Sequence, residues 1–91
     1  MQDEPWFCYM LRCSDGSLYV GMTNDVVARV KKHNTGLGPE FTKRRRPVEL
    51  ILSQGFLDRF AAHEREVELK GWNQKKKLGL VVGLEKSEGR T

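Results

Sequence analysis

The first apolar stretches of the chain predict a β-hairpin. Residues 6–13 read WFCYMLRC, a run rich in aromatic and aliphatic strand-formers, and residues 18–22 read LYVGM. Between them, SDGS at 14–17 carries an Asp-Gly pair, which is typical of a tight turn. The pattern therefore predicts two antiparallel strands, and each of them carries one tyrosine, Tyr9 and Tyr19.

The length of the hairpin loop decides where the two tyrosines point. A two-residue loop would pair Cys13 with Leu18 and would place Tyr9 and Tyr19 on opposite faces of the sheet. A three-residue loop, with Gly16 in the left-handed conformation of a bulge, would place both rings on one face. The sequence permits both registers, and only the second allows the tyrosines to share a function.

Beyond the hairpin the spacing of apolar residues becomes helical. Three candidate N-caps, Thr23, Asn24 and Asp25, precede a helix predicted over 26–33. Its apolar arc is predicted to consist of Val26, Val27 and Val30. Glycines at 36 and 38 end the helix, and residues 39–44 predict one further helical turn anchored by Phe41.

The second half of the chain predicts a strand and two helices. VELILS at 48–53 shows little alternation, as expected of a strand covered on both faces, and QGF at 54–56 is predicted to turn the chain. Asp58 is the expected N-cap of a helix over 59–72, and a last helix follows at 74–83. One domain over 6–84 is predicted, with a flexible N-terminus at 1–5 and a flexible tail at 85–91.

Charge and cysteine content narrow the class of protein. The 91 residues carry a net charge of +4, and KRRR at 43–46 with KKK at 75–77 hold seven of the sixteen basic residues. Such clusters favour a phosphate-bearing partner, although KKK is more typical of a solvated surface. Cys8 and Cys13 would face opposite ways on one strand, so reduced thiols are expected. With neither a signal peptide nor an apolar run of membrane-spanning length, we expect a cytoplasmic protein, nucleoid-associated if it acts on DNA.

A carboxylate stands out in the predicted helix over 59–72. Glu66 falls on one arc with Ala62 and Leu69, and a carboxylate between two inward apolar positions needs an ion pair or a metal ion. An ion pair with Lys70, four residues on, is the simpler account. A single carboxylate is also a minimal Mg²⁺ site, because Mg²⁺ keeps several waters and takes oxygens from a phosphate substrate.

Two further side chains on the first helix have matching chemistry. Arg29 could hold a phosphate and offset negative charge in a transition state, although a surface arginine is common. His33, one turn later, could shuttle a proton near neutral pH or could simply favour the helix C-terminus. Together with Tyr9, Tyr19 and Glu66 they could converge on one phosphate.

These motifs resemble a known family. CYM at 8–10 and YVG at 19–21, with tyrosines ten residues apart, resemble the paired signature of the GIY-YIG nuclease superfamily. The longer pattern YMLRCSDGSLYVGMTNDVVARVKKHNTG, then FTKRRRPVELI, then HEREVELKGW, is similar to its small stand-alone YhbQ-like branch. The resemblance implies an α/β (α+β) domain, a small three-stranded antiparallel sheet flanked by helices.

The resemblance also implies a reaction and the residues that perform it. It implies phosphodiester cleavage that depends on one divalent ion, Mg²⁺ or Mn²⁺. Tyr19 would be the general base or would orient the attacking water, Tyr9 would support it, and Gly21 would allow close backbone approach beside Tyr19. The remaining catalytic positions are Arg29, His33 and Glu66, the last as metal ligand. The chain has CYM in place of the first GIY tripeptide and Met22 where some branches have lysine.

The basic segment then gains a function. Five residues would flank the site and hold the nucleic-acid backbone without reading sequence: Thr42, Lys43, Arg44, Arg45 and Arg46. The leading hypothesis is an endonuclease for DNA, branched or single-stranded, in repair or processing. The alternatives are a weakly catalytic or non-catalytic module that binds DNA or RNA and needs a protein partner, and a subunit that contacts a partner through Trp6 or Trp72. A monomer is expected in isolation.

Overall fold

The structure is a computed structural model that describes the backbone of residues 5–88 and the side chains of residues 5–84. A three-stranded antiparallel sheet with strand order β2-β1-β3 forms its centre, and helices lie on both faces, which confirms the fold that the family resemblance implied. The elements are β1 (Trp6–Arg12), β2 (Leu18–Thr23), α1 (Val26–Asn34), α2 (Glu40–Lys43), β3 (Glu49–Phe56), α3 (Arg59–Lys70) and α4 (Gln74–Glu88).

The hairpin adopts the three-residue loop. The Cys13 amide donates to the Ser17 carbonyl at 2.9 Å, and Gly16 has a φ of +87°. In this register Tyr9 pairs with Gly21, and Leu11 pairs with Tyr19. Alternate residues of a strand share a face, so Tyr9 and Tyr19 lie on the same side of the sheet.

Each face of the sheet has its own core. On one face Cys8 and Met10 of β1 pack with Leu69 of α3 and Val81 of α4. On the other face Tyr9, Leu11 and Cys13 pack with Val48, and Tyr19 and Val30 lie against them. Helices α1 and α3 therefore lie on opposite faces. The two cysteines are free and belong to different cores, as predicted from their spacing.

Aspartates cap two helices, as predicted. The Asp25 carboxylate accepts from the Ala28 amide at 3.1 Å, and that of Asp58 accepts from the Ala61 amide at 2.9 Å. Of the three candidate caps of α1, Asp25 is the one used. An Asp→Ala change at such a position typically costs about 1 kcal/mol, so both caps help to define where their helices begin.

The predicted apolar arc of α1 is wrong in one position. Val27 is 81% exposed, whereas His33 is fully buried and Arg29 and Val30 are partly buried. Positions 26, 29, 30 and 33 form the face that packs on the sheet, so two polar side chains occupy an arc that the sequence pattern assigned to valines.

The third strand is longer and more open than predicted. Residues 54–56 continue β3 instead of turning the chain, because Gln54, Gly55 and Phe56 pair with β1. Leu50 is 39% exposed, so the strand is not covered on both faces. As the edge strand opposite β2, it has a covered and an open side.

The final helices differ slightly from their predicted bounds. Helix α3 ends at Lys70, before Gly71, and α4 runs to Glu88, past the predicted boundary at 84. The predicted flexible ends stay predictions, and residues 1–4 and 89–91 lie outside the described residues. Within the described part of the chain, no helix has the length and apolar character needed to span a membrane.

Two glycine substitutions test the backbone argument in opposite directions. Ala at Gly16 meets open space but must adopt a φ of +87°, so we expect it to lower the free energy of unfolding by about 1 kcal/mol. Ala at Gly79, within α4 and also beside open space, should raise it by about 0.5–1 kcal/mol because alanine is the better helix former. Urea unfolding measures both, and equal effects of the two changes would contradict this account of the loop.

Candidate active site at the edge of the sheet

The two signature tyrosines form one aromatic cluster with a histidine. The Tyr9 and Tyr19 ring centroids lie 6.4 Å apart, and the His33 ring lies 5.9 Å from Tyr9 and 5.2 Å from Tyr19. Tyr9 and His33 are fully buried, whereas Tyr19 is partly exposed. The structure thus brings together three of the side chains that the sequence singled out.

A chain of hydrogen bonds runs through this cluster. Arg29 Nε donates to the Tyr9 hydroxyl at 3.3 Å, and that hydroxyl lies 2.9 Å from His33 Nε2. His33 Nδ1 lies 2.7 Å from Thr42 Oγ1, and the Thr42 hydroxyl lies 3.2 Å from the Pro39 carbonyl. Helix α1 is therefore joined to β1 on one side and to α2 on the other.

The direction of the protons follows from the last acceptor. A carbonyl oxygen can only accept, so the Thr42 hydroxyl donates to Pro39 and accepts from His33 Nδ1. We therefore assign the proton of the neutral imidazole to Nδ1, which leaves Nε2 to accept the Tyr9 hydroxyl proton. The Tyr9 oxygen in turn accepts from Arg29, and every group in the chain is satisfied.

The electrostatics keep this cluster neutral apart from its arginine. Burial and the charge of Arg29 lower the pKa of His33 below its usual value of 6.5. Burial raises the pKa of Tyr9, and the hydrogen bond from Arg29 partly offsets that rise. The same hydrogen bond is the main reason why the pKa of Arg29 is raised. A neutral phenol and a neutral imidazole therefore stand beside a permanent cation.

Glycines make room for the buried tyrosine and histidine. A Cβ on Gly21 would lie 2.6 Å from the Tyr9 hydroxyl oxygen. A Cβ on Gly38 would lie 2.8 Å from His33 Nδ1 and 3.2 Å from Thr42 Oγ1. The expected close approach at Gly21 is present, but it accommodates Tyr9, its cross-strand neighbour, and not Tyr19.

Thr42 has a different place from the one predicted. It was expected to contact a nucleic-acid backbone, but it is fully buried, so that prediction is wrong. Its hydroxyl instead fixes His33. No pattern in the sequence indicated this role, because Thr42 stands between the exposed Phe41 and Lys43 in a single helical turn.

Glu66 approaches from the other face of the sheet. Its side chain is only 14% exposed, and Lys70 Nζ and His63 Nδ1 lie 3.0 and 3.3 Å from its carboxylate oxygens. The ion pair with Lys70, the simpler of the two predicted accounts of Glu66, is therefore present. Burial is the main reason why the pKa values of Cys8 and Tyr9 are raised, and the Glu66 carboxylate adds to both rises, although these two side chains point to opposite faces of β1.

These positions place the candidate site beside β2. Arg29 on α1 and Glu66 on α3 lie on opposite faces of the sheet, so they can approach one ligand only around a sheet edge. Strand β2 is the edge that carries Tyr19, and α3 packs against it.

Among the residues described, no three His, Cys, Asp or Glu side chains cluster as metal ligands. Glu66 therefore does not belong to a preformed cage of three such side chains among these residues.

The basic segment lies next to the aromatic cluster. The Phe41 ring lies 6.0 Å from that of Tyr19, and the Arg45 guanidinium covers it at 4.0 Å. Arg45 also pairs with Asp15 at 3.1 Å, and Arg44 pairs with Glu40 at 2.7 Å. A shallow groove continues this surface, lined by Asn34, Lys43, Arg44, Arg46 and Pro47. Cationic side chains thus extend from the cluster toward the start of β3.

Comparisons with known proteins agree with this fold. The family model described as the GIY-YIG catalytic domain matches residues 5–78. UPF0213 proteins of Staphylococcus aureus strains Mu50 and N315 are 48% identical over 75 residues, covering 82% of this chain and 92% of theirs. The solution NMR structure of the UPF0213 protein BH0048 from Bacillus halodurans is similar, with 38% identity, a TM-score of 0.56 and coverage of 86% and 83% of the two chains. The solution NMR structure of the protein EF2693 from E. faecalis is also similar, with 32% identity and a TM-score of 0.62. The match covers 93% of this chain and 92% of that one.

The lowered pKa of His33 predicts a pH-dependent stability. The pKa of His33 is near 6.5 in the unfolded chain and lower in the folded chain. The contribution of His33 to the free energy of unfolding is therefore fully present above pH 6.5 and is lost as the pH falls below it. Urea unfolding between pH 7.5 and 5 should show this loss. His33→Gln should remove that component, and His63→Gln, at an exposed histidine, should keep it. An unchanged pH dependence in His33→Gln would contradict the assignment.

The hydrogen bond from His33 to Thr42 can be tested by a near-isosteric change. Thr42→Val should lower the free energy of unfolding by about 1–3 kcal/mol, because it leaves the buried Nδ1–H without an acceptor. It should also shift the His33 ¹⁵N resonances toward a mixture of tautomers. Thr42→Ser, which keeps the hydroxyl, should retain the parent tautomer. A parent-like His33 spectrum in Thr42→Val would exclude this role.

Proposed function

The chain belongs to the GIY-YIG family, in its branch of small UPF0213 proteins, and from this membership and its own site we propose that it is a divalent-metal-dependent endonuclease that hydrolyses phosphodiester bonds in DNA. The single observation that carries the proposal is the hydrogen-bonded chain from Arg29 through Tyr9 to His33. It fixes a cation beside β2, next to the partly exposed phenol of Tyr19. In this role the protein would act inside the cell, in DNA repair or processing.

Arg29 would bind the scissile phosphate. Its Nε donates to Tyr9, and a second hydrogen bond joins the guanidinium to Tyr19. These contacts orient the guanidinium and leave its other N–H donors for phosphate oxygens. The raised pKa of Arg29 keeps the cation charged at any working pH. A cation held before the substrate arrives can stabilise the extra negative charge of the transition state without further reorganisation.

Burial distinguishes the roles of the two tyrosines. A group that orients or deprotonates the attacking water must be reachable by water. Tyr19 is partly exposed, and Tyr9 is fully buried. We therefore assign the contact with water to Tyr19. Tyr9 positions Arg29 and His33, and both imidazole nitrogens of His33 are occupied, so His33 also acts by positioning.

The reaction needs no covalent intermediate on the protein. The water oxygen forms a bond to phosphorus while the bond from phosphorus to the leaving oxygen breaks. The Tyr19 hydroxyl oxygen accepts the water proton as it releases its own proton to solvent, and the leaving oxygen takes a proton from solvent. Glu66 is suited to hold a divalent cation at the same phosphate, because Mg²⁺ accepts one carboxylate when water and phosphate supply the other oxygens. When bound there, the cation would supply positive charge to the phosphate. Lys70, about half exposed, can move aside from Glu66.

Nucleic-acid binding would come from the exposed cations. Lys43, Arg44, Arg45 and Arg46 would contact phosphates, which makes binding salt-dependent and largely independent of sequence. One observation favours the second candidate, a binding module with little catalysis: the Glu66 carboxylate is paired with Lys70. Trp6 and Trp72 are both partly buried beneath cationic side chains, which gives no support to the third hypothesis, a tryptophan-anchored partner.

The charge of Glu66 separates the two leading candidates. Glu66→Gln should lower Mg²⁺- or Mn²⁺-dependent cleavage of flap, branched and single-stranded DNA by at least about 100-fold, because the metal loses its carboxylate. Binding of the same DNA in the absence of metal should persist. Glu64→Gln, on the exposed side of the same helix, is the matched control and should cleave like the parent.

Three outcomes are decisive. Equal cleavage by Glu66→Gln and by the parent would exclude the metal role. Cleavage lost in both glutamate variants would point to general instability. A parent protein that binds DNA and cleaves none of the panel with either metal would leave the binding module as the function.

A further inference from the structure

A pocket beside the candidate site is not used by the proposed reaction. It is lined by Met22 at the end of β2 and by Arg59, Phe60 and His63 in the first turns of α3. Phe60 is 69% exposed, so its ring contributes little to the core. An exposed aromatic ring that forms the wall of a pocket is available for a ligand.

Two residues of this pocket lie next to residues of the candidate site. Met22 directly follows Gly21, the residue over which the Tyr9 hydroxyl lies. His63 Nδ1 lies 3.3 Å from the Glu66 carboxylate, the candidate metal ligand. A phosphodiester bound between Arg29 and Glu66 would therefore have this pocket as its neighbour.

The lining favours a flat, uncharged ring with polar edges. Phe60 and Met22 offer a phenyl face and a thioether, and sulfur and aromatic groups both pack well on π systems. His63 and Arg59 add N–H groups at the rim, where base edges accept hydrogen bonds. The Arg59 guanidinium lies 5.3 Å from the Trp6 ring, which places its positive charge near the same edge of the molecule. A nucleobase with its attached phosphates matches both the apolar wall and the cationic rim.

We infer that the pocket formed by Met22, Arg59, Phe60 and His63 binds an unpaired nucleobase that adjoins the scissile phosphate. The inference rests on the proposed function and adds a substrate class to it. Bases in an intact duplex are stacked and paired, so a surface pocket receives one only when the strand is single or the base has left the stack. The pocket thus selects single-stranded or flapped DNA, while the basic segment holds the backbone.

The test measures binding without divalent metal, so that no cleavage occurs. Fluorescence anisotropy follows a labelled single strand, the same strand in a duplex, and the same strand with abasic residues. Phe60→Ala should weaken binding of the single strand by about five- to 150-fold, the range of base-stacking contributions, and should leave the affinity for the other two ligands unchanged. Phe60→Trp should retain affinity.

Two controls separate stacking from general effects. Leu57→Ala removes a side chain that is 89% exposed and lies outside the pocket, so its affinity for the single strand should equal that of the parent. The melting temperature of Phe60→Ala should change little, because the ring is mostly solvated.

The pocket and the nuclease can fail separately. Unchanged single-strand affinity in Phe60→Ala, or an equal loss for strand and duplex, overturns the pocket and makes a protein partner the better occupant of this surface, even if the parent cleaves DNA. Single-strand binding that depends on Phe60 in a protein that cleaves nothing supports the pocket and overturns the hydrolase.

Discussion

The buried imidazole of His33 holds the candidate site together. It bonds Tyr9 on β1 through Nε2 and Thr42 on α2 through Nδ1, and it extends from α1. Three elements of the fold are thus joined by one ring with no exposed surface. Removing either partner would leave a buried polar nitrogen unsatisfied, which costs about 1–3 kcal/mol. The geometry of Tyr9, and with it that of Arg29, depends on this pair of hydrogen bonds.

The sheet determines how the remaining groups can meet. Its two faces carry separate cores, one containing Tyr9 and the other containing Leu69 of the helix that bears Glu66. Arginine and glutamate therefore approach from opposite sides, and the open edge of β2 is where a phosphate could contact both. Gly21 serves this arrangement from the middle of the edge strand, because only a residue without Cβ leaves space for the Tyr9 hydroxyl.

Local sequence predicted much of this fold, and its errors have physical causes. The Asp25 and Asp58 caps were predictable because capping depends on neighbouring residues alone. The hairpin register was not, because the packing of Tyr9 and Leu11 against α1 helps to fix it, and the loop sequence carries no information on that packing. Val27 was misassigned because the amphipathic rule expects apolar residues inward, whereas α1 turns Arg29 and His33 toward the sheet.

The sequence also predicted the candidate site only in part. Glu66 was identified from its arc with Ala62 and Leu69, and the structure shows it mostly buried and paired. Thr42 was missed as a support of His33, because a hydrogen bond from a threonine to a histidine nine residues away leaves no periodic signal. The sequence thus indicated a charged residue at an inward position of its own helix. It missed a residue whose role arises from contact with another element.

A single carboxylate has a consequence for how cation and substrate bind. If Glu66 holds Mg²⁺ as we propose, it would leave most of the coordination sphere to water, so the cation would gain affinity only when phosphate oxygens join it. The cation would in turn strengthen the hold on that phosphate, and linkage requires the two effects to be equal in free energy. Lys70 supplies positive charge beside Glu66, which keeps the mostly buried carboxylate from standing unpaired. The site is therefore organised on its arginine side and adaptable on its glutamate side, so the nucleic acid itself would complete it.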